Sequence, residues 1–117
     1  MIKLTDRKCI PCEGGVDPLS SDQVEALLRE LDTAWTFTDN IKIERIYNFD
    51  DYQGVIGFAN QVASLAEEEG HHPIMTLFFS KVKVELWTHA ILGLSENDFI
   101  LAAKIDALFT HHGIRNN

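Results

Sequence analysis

The residues best suited to chemistry lie in and just beyond the stretch "AEEEGHHPIMTLFF", Ala66 to Phe79. Three acids, two adjacent histidines and a proline are set there between a helix-like segment and a strand-like one. Crowded like charges are unfavourable, and a proline ends the helix before it. Glu67 precedes His71 by four residues, so it sits about one turn behind it if the helix persists that far. The side chains of His71 and His72 diverge, and Pro73 pushes His72 toward an extended backbone. Thr88-His89 and Asp98 follow at a distance. The question is whether these groups bind a metal, activate a nucleophile or move protons.

Zinc is a poor match, because the HExxH spacing that puts two ligands on one helical face is absent and adjacent histidines seldom serve one tetrahedral ion. Nucleophilic catalysis is weaker still, since no serine or cysteine stands near the cluster in a recognisable motif. Acid–base chemistry fits best. Imidazole titrates near neutrality, so one ring gives a proton while another takes one. Each member also has a plain structural explanation: Glu67 to Glu69 as a solvated helix end, a histidine as a surface group, and Asp98 as the third helical residue of a capping box opened by Ser95. Their convergence is what argues for a site.

That convergence depends on the elements around them. Residues 1–18 read as an irregular arm, punctuated by Pro11, Gly14, Gly15 and Pro18. The rest, 19–117, reads as one domain. Ser20 and Gln23 form a capping box for a helix with the stripe Val24, Leu27, Leu28 and Leu31. "TAWTFT" and "IKIERIYNF" read as strands joined by an Asp39-Asn40 turn, with a bulge expected near Glu44-Arg45, where alternation falters. Asp50 or Asp51 caps a longer helix to about Glu68, with the stripe Tyr52, Val55, Ile56, Ala59, Val62, Ala63 and Ala66. Gly54 and Gly57 in that helix suggest close packing against the sheet backbone. "IMTLFF" and "KVKVELWTH" read as a second strand pair turning near Ser80-Lys81. That hairpin would return His89 to the rim holding His71 and His72. The last helix, "SENDFILAAKIDALFTHH", is apolar almost all round from Phe99 to Phe109, which predicts burial in a homo-oligomer. The order helix, strand, strand, helix, strand, strand, helix predicts an α+β fold: a four-stranded antiparallel sheet with helices on one face.

Composition narrows the task. The chain has 117 residues, 45% of them hydrophobic, which suits a single folded domain. Its formal charge of −8 argues against phosphate-backbone binding. No apolar run approaches a membrane span, and "MIKLTDRKCIPC" has no signal core, so a cytoplasmic protein with no membrane partner is expected. Cys9 and Cys12 lack the second pair a zinc ribbon needs and the strand-to-helix setting of a redox motif. They are read as a tight turn in the arm.

Taken in order, "EEEGHHP", Phe79 six residues after the proline, Thr88-His89 and "GLSENDFILA" resemble the pterin-4a-carbinolamine dehydratase family. The likeness extends through "YNFDDYQGVIGFANQVASLAEEEGHHP" and the leading "CIPCEGG". Met75 departs from it, standing where the family often carries an aromatic. The resemblance implies loss of water from a 4a-hydroxytetrahydropterin to give a quinonoid dihydropterin, with no cofactor. It implies that His71, His72 and His89 are the catalytic and substrate-orienting imidazoles. Glu67 and Asp98 would be supporting carboxylates, with Pro73 and Thr88 beside the substrate, and the assembly a homodimer or homotetramer. The alternative on the same fold is a non-catalytic binding, assembly or transcription-cofactor module.

Overall fold

Local signals start most elements where the sequence predicts them. In the computed structural model, which describes residues 3–10, 14 and 16–116 (side chains through 110), helix α1 (Ser21–Leu28) opens on a complete Ser20–Gln23 capping box. Strands β1 (Thr36–Thr38) and β2 (Lys42–Asn48) flank a tight turn in which Asp39 and Asn40 both take φ 56°. That left-handed pair suits a turn matched to sheet twist, closed by the Ile41 amide on the Thr38 carbonyl at 3.1 Å, within a three-residue loop between Thr38 and Lys42. Asp51 caps helix α2 (Tyr52–Glu69) by accepting the Gly54 amide at 2.8 Å. Strands β3 (Ile74–Leu77) and β4 (Lys81–Leu86) form the second hairpin, and helix α3 (Glu96–Asn116) ends the chain.

The sheet order is β1-β2-β4-β3, antiparallel throughout. The buried side chains of β4, Val82, Val84 and Leu86, face the helices together with Ile43 and Tyr47 of β2. They join Val55, Phe58, Val62, Phe99, Leu101 and Ile105 in one core. The layers are therefore sheet and helices, as expected.

Several expectations are corrected. β2 carries no bulge: its register with β4 runs unbroken from Ile43↔Leu86 to Asn48↔Lys81. Alternation only looked broken because Arg45 points inward. It lies 2.8 Å from Asp106 Oδ1 of α3, and that carboxylate also accepts from Trp35 Nε1 and Tyr47 OH. In α2 the buried face is turned slightly from the one predicted: Phe58 is buried, whereas Tyr52 and Ala63 are exposed. Gly54 faces its own cap and Phe49 rather than the sheet backbone; a Cβ there would come within 3.2 Å of Asp51 Oδ1. The apolar surface of α3 is largely consumed within one chain, since Phe99 to Ala102 and Ile105 are buried and Phe109 packs on Tyr47, Phe49 and Phe58. The arm forms a short 3-10 turn, Leu4–Asp6, that buries Leu4 in the core.

Candidate active site

Gly70 stops α2 with φ 67°, a left-handed backbone that glycine adopts without strain. The amides of Gly70 and His71 both return to the Ala66 carbonyl, at 2.9 and 3.3 Å. The chain then turns out through His71, His72 and Pro73 into β3. The β3–β4 hairpin brings the chain back to the same rim. There β4 ends at Leu86, before His89, which opens a 3-10 turn, His89–Ile91, rather than ending the strand. A cavity of about 300 Å³ lies at that rim, walled by His71, His72 and His89 with Thr88, Asn97 and Ile10. The three imidazoles converge as predicted. A larger cavity of about 550 Å³ near Leu4, Asp32 and Asp106 contains none of the predicted residues.

Asp98 stands behind the cavity rather than on its wall. Its side chain is fully buried, and its Oδ1 lies 2.6 Å from His71 Nε2. Its Oδ2 accepts from Thr88 Oγ1 at 2.8 Å and from the Ser95 amide at 2.9 Å. The expected capping box is thus half formed, because Ser95 Oγ bonds Thr88 Oγ1 at 2.7 Å. A carboxylate oxygen accepts, so His71 Nε2 is the donor of this pair, and Nδ1 is the ring nitrogen that Asp98 does not engage.

Glu67 does not meet His71. It pairs with His72 Nε2 at 2.7 Å, in a contact open to solvent on both sides (side chains 78% and 61% exposed). His89 stacks on Trp87, ring centroids 4.5 Å apart and 14° from parallel. Pro73 is half-buried and outside the cavity wall. Met75 faces the core opposite Val84, so the position where an aromatic was expected is not part of this cavity. Among the described residues, no three His, Cys, Asp or Glu side chains are grouped to hold a metal ion.

Sequence reasoning missed two groups. One is Glu69, read as part of a solvated run but nearly buried. It accepts the Cys9 amide at 2.9 Å and pairs with Lys104 Nζ at 2.7 Å. Burial pushes its pKa up, but the Cys9 amide and the Lys104 ammonium outweigh this and leave it below the ordinary carboxylate value. The other is Asn97, whose side-chain amide grips Ile10. Its Oδ1 accepts the Ile10 amide at 3.0 Å and its Nδ2 donates to the Ile10 carbonyl at 2.6 Å. "SEND" looked like helix capping and gave no sign of that role. Burial, then the charge of Glu69, pushes the Cys9 thiol up to about 12. Cys12 lies outside the described residues.

Comparison with known proteins identifies the family. A curated Rickettsia bellii protein, provisionally named a pterin-4-alpha-carbinolamine dehydratase, is 50% identical over 105 residues, 90% of this chain and 93% of its own. A Nitrosomonas europaea protein of the same provisional name is 51% identical over 91% of this chain and 93% of its own. The crystal structure of a transcriptional coactivator/pterin dehydratase from Brucella melitensis superposes with a TM-score of 0.74 at 33% identity, over 79% of this chain and 98% of that one. A pterin dehydratase-like protein identified as a RuBisCO assembly factor in the alpha-carboxysome gives a TM-score of 0.51 at 26% identity, over 58% of this chain and 79% of that one. Residues 17–108 match the model of the pterin 4 alpha carbinolamine dehydratase family, and the chain belongs to that family.

Proposed function

We propose that this protein removes water from a 4a-hydroxytetrahydropterin, giving a quinonoid dihydropterin for reduction and reuse in tetrahydropterin recycling in the cytoplasm. The observation that carries the reading is the convergence of His71, His72 and His89 on one cavity, with buried Asp98 fixing the tautomer of His71. The C4a–O bond breaks when the hydroxyl receives a proton and a ring nitrogen gives one up, so water is the leaving group and no net proton is consumed. His71, with its Nδ1 unprotonated, takes the nitrogen proton. His89, its ring held flat on Trp87, supplies the proton to the hydroxyl, and His72, steadied by Glu67, orients the heterocycle.

A binding or assembly role on the same fold is the second reading, favoured by the neighbour identified as an assembly factor and by the exposed apolar residues around β3 and its turn, Ile74, Leu77, Phe78 and Phe79. That surface also supports a homodimer or homotetramer, since among the described residues β3 pairs only with β4 and leaves one edge open. The two readings separate in a stopped-flow assay on freshly generated 4a-carbinolamine, run with and without prior chelation. Acceleration over spontaneous dehydration that survives chelation supports the enzyme. A rate equal to the spontaneous one refutes it.

A further inference from the structure

The arm carrying the "CIPCEGG" motif has no part in the chemistry above, yet three hydrogen-bonding groups fasten it beside the site. Asn97, only 5% exposed, meets both backbone groups of Ile10 in the manner of a strand partner. The Cys9 amide is held by Glu69 and the Cys9 thiol reaches the Asn97 carbonyl at 3.5 Å. Gly14, at φ 88°, lies against the turn that carries His89, where a Cβ would stand 3.4 Å from the Ala90 carbonyl. A segment needed only to bury Leu4 has no use for this second set of anchors.

The residue so fixed is Ile10. Ile10 lines the cavity of the three histidines and is nonetheless 72% exposed. A β-branched apolar group held open to water at a polar cavity contributes nothing to the core, and it is placed to meet the apolar part of a ligand there. A volume of about 300 Å³ is at the small end for ligand sites, matching a bicyclic heterocycle with a short substituent. The imidazoles account for the polar edge of such a ring, and its flat or substituted side still needs an apolar wall.

We propose that the arm is that wall: Ile10 is a substrate-contacting residue, and Asn97 is a positioning residue that acts through it. The proposal rests on the pterin reading above and adds the part of the site that recognises the apolar portion of the substrate. Ile10 makes no proton transfer, so its contact persists equally in ground state and transition state. Truncation therefore raises KM and leaves kcat unchanged.

The experiment compares the native protein with Ile10→Ala, Asn97→Ala and the double variant. Two quantities are read: steady-state kcat and KM on the 4a-carbinolamine, and the Kd of stable 7,8-dihydrobiopterin by fluorescence titration. Ile10→Ala is expected to raise KM and Kd about tenfold, the loss of a few apolar carbons from a ligand site. Its melting temperature should stay at the native value, because the side chain is exposed. Asn97→Ala should raise both constants similarly, and the double variant should be no worse than the weaker single, since one residue acts through the other. KM and Kd within twofold of native for Ile10→Ala, with the native protein active, overturn the wall and leave the dehydratase reading standing. A native protein that binds the dihydropterin but turns over no carbinolamine overturns the dehydratase reading, and the Kd series still decides the wall. A native protein that binds no pterin overturns both.

Discussion

Replacing Asp98 by asparagine tests the arrangement behind His71 with the least disturbance of shape. The carboxylate serves three donors: His71 Nε2 at 2.6 Å, Thr88 Oγ1 at 2.8 Å and the Ser95 amide at 2.9 Å. The substituted side chain would have one oxygen and one amide nitrogen in place of the two carboxylate oxygens. The oxygen stays with the two donors that have no alternative role, Thr88 and the Ser95 backbone. The amide nitrogen then faces His71 and donates, so Nε2 must accept and the ring proton moves to Nδ1. The cavity now meets a donor where it met a base.

Loss of a positioned base costs about 10²–10⁴ in rate, equivalent to about 3–5 kcal/mol of transition-state stabilisation. Folding suffers much less. Charge-assisted hydrogen bonds become neutral ones at roughly half their strength, while a buried charge is removed, so a net change of about 1–2 kcal/mol is expected. Asp98→Ala is the wrong variant, because three groups would lose a buried partner at about 1–3 kcal/mol each. Single-turnover dehydration reads the rate, and urea unfolding of the same sample reads stability. A folded Asp98→Asn protein turning over at more than about a third of the native rate, far above the loss expected for a missing base, would refute the tautomer argument, and His71 would not be the base.

Three further outcomes follow from other contacts. Asp106→Ala strands Arg45 among Tyr47 and Phe109 and orphans Trp35 Nε1 and Tyr47 OH, so it should cost about 3 kcal/mol in urea unfolding, part of it recovered by adding Arg45→Met; a loss under about 1 kcal/mol contradicts the network. Glu69 has a folded pKa below its ordinary 4.5, so its contribution is present above that value and is lost as pH falls through the folded one. Glu69→Gln should therefore be less stable than native near neutrality, with the gap closing in acid; Asp106, raised by burial, works in the opposite sense, and a gap that does not change with pH rules out the Glu69 assignment. The open β3 edge with exposed Phe78 and Phe79 should associate, so sedimentation equilibrium at micromolar concentration should show a dimer or tetramer rather than only the 13.2 kDa chain.

What could be read from the sequence was set by how far apart the deciding residues lie. The Ser20–Gln23 box and the Asp39-Asn40 turn are written within four residues, and both form as expected. The meeting of His89 with His71 and His72 was legible because it needs only one hairpin. Arg45 was misread because its partner, Asp106, lies 61 positions along the chain. In the run Glu67–Glu69, nothing local says which acid is buried; Lys104 and the Cys9 amide select Glu69, from 35 and 60 positions away. The same holds for Glu67, which spacing assigned to His71: α2 does persist, but its left-handed end at Gly70 swings His71 toward α3 and gives Glu67 to His72.

The geometry at the start of α3 explains how a site made of chain ends stays ordered. Every wall of the cavity is the end of something: the last turn of α2, the exit of β4, the arm. Such ends fray when left to themselves, because their backbone groups lack partners. Here three residues in the first turn of α3 and its cap take hold of them. Ser95 bonds Thr88, Asn97 holds both backbone groups of Ile10, and Asp98 holds His71 and Thr88. Directly behind them, Phe99, Leu101, Ala102 and Ile105 are fully buried, so that turn cannot shift without opening the core. A helix that looked in sequence like spare apolar surface is the element that holds His71 and Ile10 in place at the cavity. Substitutions along its buried face, such as Ile105→Ala, should therefore disturb dehydration more than their distance from the cavity suggests.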